Sequence, residues 1–78
     1  MTNKQLKEIE TIADEIIYNI NFYNNSLNNG LVPASETADI QTRIERLNAR
    51  LSGIDSVMFV LGYTRHTAKW SGTMYTKN

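Results

Sequence analysis

Two stretches of the chain carry the same periodic pattern. In the first, Leu6, Ile9, Ala13, Ile16, Ile20, Tyr23 and Leu27 follow one another at alternating steps of three and four residues. That is an unbroken heptad seam, the signature of a helix with one apolar stripe. Ile12 and Ile17 widen the stripe to the breadth expected of a helix in a bundle. In the second stretch, Ile40, Ile44, Leu47, Leu51, Ile54, Met58 and Leu61 repeat the alternation. Between them lies "NNSLNNGLVPAS", with Gly30 and Pro33 as the breaking residues.

Local signals fit this division. Thr2 followed by Gln5 reads as a capping box. Gly30 and Gly62 stand where a glycine closes a helix in the left-handed conformation. Ser35 is placed to cap the second helix, with Glu36 facing its positive end. Gly53 is the weak point of the second stretch, costing about 1 kcal/mol relative to Ala in a helix interior. The expected helices run about 3–29 and 36–61 within a hairpin of residues 1–63, followed by a tail of residues 64–78. The fold class these signals predict is all-α: an antiparallel two-helix hairpin with heptad-like seams, oligomerising into a helical bundle, with a short non-helical C-terminal tail.

The reason to expect an oligomer is apolar surface that two helices cannot cover. Val57–Leu61 is apolar around the whole helix, so Phe59 and Val60 point away from the seam at about 100° per residue. Tyr18 and Phe22 lie together on the back of the first helix. Exposed aromatics of this kind mark interfaces. A two-fold dimer forming a four-helix bundle is the simplest assembly. Tyr18, Phe22, Phe59 and Trp70 are therefore the expected oligomer or partner-binding residues, and the chain itself and a further protein are the expected partners.

Charge adds a second theme. Eight basic and eight acidic side chains cancel, so the global field attracts neither nucleic acid nor membrane. Locally the cancellation fails. Arg43, Arg46 and Arg50 fall at i, i+3 and i+7, one stripe along a helix flank. Asp39 can pair with Arg43, and Arg50 can reach Asp14 across the hairpin, but Arg46 has no acid three or four residues away on its helix. The tail carries Arg65, His66, Lys69 and Lys77 and no acid. An antiparallel hairpin brings it back beside Glu8, Glu10, Asp14 and Glu15. Two readings follow: the tail docks there, with Trp70 covering apolar helix surface, or it is a free arm that orders on a partner. Arg43, Arg46, Arg50, Arg65 and Lys69 form the anion-binding alternative, a nucleic acid or small nucleotide held by arginine forks with Trp70 or Tyr63 stacked on a base.

The candidate chemistry ends there. The chain has no Cys and one His, which excludes a thiolate nucleophile and a four-ligand zinc site built on Cys and His. The four glycines are scattered, and none forms a phosphate loop. Ser56 and His66 lie in different local contexts, and no Asp is positioned in sequence to orient His66. No catalytic residue, metal site or cofactor is expected. No apolar run approaches the roughly 20 residues of a membrane span, and "MTNKQLKEIE" lacks an apolar leader, so a cytoplasmic location is expected. The sequence-level reading is a non-enzymatic oligomeric interaction module, a regulator or inhibitor of another protein. Its bias toward Asn and Ile is of the kind seen in small proteins of phages and mobile elements.

Overall fold

The computed structural model describes residues 1–68 and 72–78. Two long helices, α1 (Asn3–Asn28) and α2 (Thr37–Val60), are joined through a short 3-10 turn, Ala34–Glu36. Two strands follow, β1 (Tyr63–Ala68) and β2 (Gly72–Lys77), paired antiparallel. The helical hairpin is as the two seams require. The all-α expectation is corrected: residues 63–77 form a β-hairpin that packs on the helices.

The helix ends obey their local signals. Thr2 Oγ1 accepts from the Gln5 N–H at 3.1 Å, and Gln5 Oε1 accepts from the Thr2 N–H at 3.0 Å. Both orphan donors are thereby satisfied. At the other end Gly30 takes φ +66°. Its N–H donates to Leu27 O, and the Leu31 N–H donates to Ser26 O, the paired bonds of a Schellman closure. The start of α2 differs from the Ser35 cap expected. Ser35 lies inside the 3-10 turn, and no side chain caps α2 at Glu36.

The tail folds because its sequence alternates. Tyr63, Arg65 and Thr67 pair across the ladder with Lys77, Tyr75 and Thr73, so these six share one face of the ribbon. Thr and Tyr suit a pleated, half-buried surface. That face lies on the helical hairpin, β2 against α1 and β1 against α2. Gly62 (φ +91°) turns the chain out of α2 into β1. Gly72 (φ +75°) opens β2 against α1, where a Cβ would stand 3.3 Å from Asp14 Oδ1.

The core is thin. Ala13, Ile16, Leu51, Met58 and Tyr75 are buried, with Leu6, Ile9, Ile17, Ile20, Leu47, Ile54 and Tyr63 packed around them. Every residue of both predicted seams is at least half-buried except Leu61. The body is elongated, 44 × 24 × 18 Å with a radius of gyration of 14.5 Å, against about 11.5 Å for a compact domain of this length. Its accessible surface is 5785 Å², roughly 1,000 Å² above the value of about 4,800 Å² usual for this mass. A slab two helices wide, covered on one side only, accounts for the excess.

Candidate functional site

The β-hairpin covers one face of the helical hairpin and fastens to it through acids of both helices. The Tyr75 N–H donates to Glu10 Oε2 at 2.8 Å, and Thr73 Oγ1 donates to Asp14 Oδ1 at 3.1 Å. On α2, Asp55 receives two groups that the ladder places opposite one another. Arg65 Nε lies 3.0 and 3.1 Å from its two oxygens, and the Tyr75 hydroxyl donates to Oδ1 at 2.8 Å. Burial of Tyr75, then its bond to Asp55 and the negative field of Asp55 and Glu10, push the phenol well above its ordinary range, with Arg65 opposing.

This docking uses the acidic region as expected but by different groups. Glu10 and Asp14 are met by a backbone N–H and a hydroxyl, because alternation in the strand leaves those donors facing α1. Arg65 goes instead to Asp55, an acid the sequence reading did not assign. Among the described residues it is the one ion pair within 4 Å. The expected Asp39–Arg43 and Asp14–Arg50 pairs are not formed. Asp14 is engaged by Thr73 on the sheet side of α1, whereas Arg50 points to the other side.

That other side is open. Between α1 and α2, away from the strands, runs an open groove of about 580 Å³ lined by Ile9, Ile12, Arg50, Gly53, Ile54, Val57 and Met58. Its walls are apolar apart from Arg50. Ile12 is 45% exposed and Val57 60%, and Val60 and Leu61 beyond them are exposed as well. Toward the interhelical loop it continues as a smaller depression of about 310 Å³ framed by Asn19, Tyr23, Arg43, Arg46, Leu47 and Arg50. Arg50 belongs to both parts. The open face is therefore graded, apolar toward the β-hairpin end and basic toward the loop end.

The three arginines read from the sequence as one stripe do frame one site. Tyr23 and Asn19, which complete it, were legible only as a seam residue and as part of an Asn-rich stretch. Arg65 stands apart on the sheet side, and Tyr63 packs against the core. Tyr18 and Phe22 are exposed on α1, with Phe22 edge-on to Tyr23 at a centroid distance of 5.7 Å. Phe59 is exposed on α2, turned about 100° from the buried Met58. The three aromatics do not form one patch. Trp70 and Lys69 lie outside the described residues.

Ser56 and His66 are both exposed, on α2 and β1. Among the described residues no cluster of His, Asp or Glu is gathered to hold a metal ion, and no helix is long and apolar enough to cross a membrane. Set against protein-family models, curated proteins and solved structures, the chain matches none.

Proposed function

We propose that the protein is a non-enzymatic, oligomeric interaction module, and that its contact surface is the strand-free face of the helical hairpin. The observation that carries this reading is the graded groove beside a thin core. Ile12, Val57, Val60 and Leu61 lie exposed along one side of a body that has about 1,000 Å² of surface to spare. A standard interface takes about 800 Å² per partner. A second copy of the chain is the occupant that is always present. Covering the groove with it turns a two-helix layer into a four-helix bundle, with the strands on the outside.

The test sets Ile12→Asp and Val57→Asp, on the open face, against Tyr18→Asp on the back of α1. The first two should dissociate the assembly while keeping helical circular dichroism, and the third should leave it intact. Dissociation by Tyr18→Asp alone would move the contact surface to the back of α1.

A second reading has its own observation. Arg43, Arg46 and Arg50 frame one depression with Tyr23 and Asn19, a set of donors and an aromatic edge suited to a phosphate-bearing ligand such as a nucleotide. Titration with a single-stranded oligonucleotide at rising salt tests it. Binding that weakens steeply with salt and is lost in Arg46→Ala supports this reading, and no binding at low salt removes it.

A further inference from the structure

Arg50 stands in both parts of the open face. Among the described residues it is the one charged side chain on the wall of the apolar groove, and it frames the smaller depression with Arg43 and Arg46. The ion pair within 4 Å among those residues is Arg65–Asp55, so all three arginines of the open face are without one. A guanidinium keeps its charge at any working pH.

The acids are placed elsewhere. None of the eight lines either part of the groove. Glu10, Asp14 and Glu15 line a depression beside Gly72 and Thr73 on the sheet side, and Asp55 is taken by Arg65. Glu8 shares a hollow with Met1, Ile9 and Leu61 at one end of the helices. Asp39 precedes Arg43 by one turn at the other end, and Glu36 lies in the 3-10 turn. Glu45 is turned about 100° around α2 from Arg46, away from the groove.

A second copy seated on this face therefore brings six arginines to one surface, and the hollows between the copies hold no carboxylate. Burying a charge without a partner is costly, and like charges across an interface oppose association. Resting on both readings above, self-association and phosphate binding, we infer that the two are coupled: an oligophosphate group seated in the arginine depression promotes the pairing of the open faces. Charge sets the class of ligand. A phosphate group brings about −1.5 to −2 charges, so a chain of two matches three guanidiniums, whose forks suit phosphate oxygens. The depression, about 310 Å³, is at the lower end of small-ligand sites. Coupling runs through Arg50. Drawn into the depression, its guanidinium leaves the groove, whose remaining lining of Ile9, Ile12, Gly53, Ile54, Val57 and Met58 carries no charge. The ligand thus clears the surface that the second copy covers. Linkage makes the effect reciprocal, so the dimer holds the ligand more tightly than the single chain does.

Sedimentation equilibrium of the full chain in inorganic pyrophosphate, against sodium chloride of equal ionic strength, tests the coupling. Matched ionic strength removes general screening. Pyrophosphate should lower the dimer dissociation constant about tenfold, a usual size for coupled sites. Arg50→Gln should pair more tightly than the wild type in sodium chloride, and Arg46→Ala should lose the response to pyrophosphate. Adenosine diphosphate in place of pyrophosphate separates two sources of the same chemistry. Equal tightening assigns the site to the phosphate chain, and stronger tightening by the nucleotide adds a base contact. A wild-type constant that pyrophosphate leaves unchanged or raises overturns the inference. So does an Arg50→Gln variant that pairs more weakly than the wild type in sodium chloride. Calorimetric titration with pyrophosphate keeps the failures apart. Binding that is lost in Arg46→Ala, with no change in association, leaves the phosphate site standing and removes only the coupling. A wild type that stays a single chain in both salts removes the self-association reading and the coupling with it.

Discussion

Tyr75→Phe isolates the bond that holds the β-hairpin to α2. The ring stays in its buried site, so no cavity forms, and the N–H bond to Glu10 is untouched. What is lost is the hydroxyl donated to Asp55 at 2.8 Å. A hydrogen bond to a charged group is worth about 1.5–3 kcal/mol. Here the lower end applies, because Asp55 keeps Arg65 at 3.0 Å and its side chain is 32% exposed, so water can take the vacated lone pair. The expected loss is about 1.5 kcal/mol, which for a chain of this size lowers the melting temperature by about 6–12 °C. Tyr75→Ala adds a cavity and should cost about 3–5 kcal/mol. Urea unfolding followed by far-ultraviolet circular dichroism measures both. A Tyr75→Phe variant as stable as wild type would mean that the Asp55 bond is not what fastens the ribbon. One as damaged as Tyr75→Ala would mean that the hydroxyl, not the ring, fills the role assigned to packing.

The same tyrosine predicts a pH effect. Its folded-state pKa is raised above the unfolded value, so its contribution is fully present below about pH 10 and is lost as pH rises beyond that; the alkaline fall in melting temperature should be shallower in Tyr75→Phe. Leu47→Ala, on the packed seam, should cost about 2–3 kcal/mol, and Glu45→Ala, on the exposed side of α2, under about 0.5 kcal/mol; equal effects would show that the phase assigned to α2 is wrong. Gly72→Ala forces a non-glycine residue to φ +75° and crowds Asp14, so it should destabilise by about 1 kcal/mol or more, read as a lower urea midpoint.

The helices were legible because each of their signals is local. A three-four alternation, a Thr2–Gln5 capping box and glycines at two helix ends all act within a few residues, and none needs knowledge of what lies opposite. The β-hairpin was not legible to the same degree. Its alternation, Tyr63–Arg65–Thr67 against Thr73–Tyr75–Lys77, is carried by polar residues rather than by the Val, Ile and Phe that usually announce a strand. What seats Arg65, Thr73 and Tyr75 on the helices is a set of acids some 10 to 65 positions away, Glu10, Asp14 and Asp55. For the same reason Arg65 was assigned to the wrong carboxylate: charge sums place a tail near an acidic helix end, but only strand register decides which donor faces which acid. The open face was half-visible. The arginine stripe stands out in the sequence, whereas its continuity with Ile12 and Val57 appears only once the β-hairpin is seen to cover the opposite side.

The central claim is that the open face is covered by a second copy of the chain. Sedimentation equilibrium of the wild type across the micromolar range, with Val57→Asp beside it, tests this most directly. The account predicts a wild-type mass of twice 8.9 kDa that falls toward the single-chain value on dilution, and a Val57→Asp variant that stays at the single-chain value while remaining helical. A wild type that sediments as a folded single chain at every concentration would contradict it.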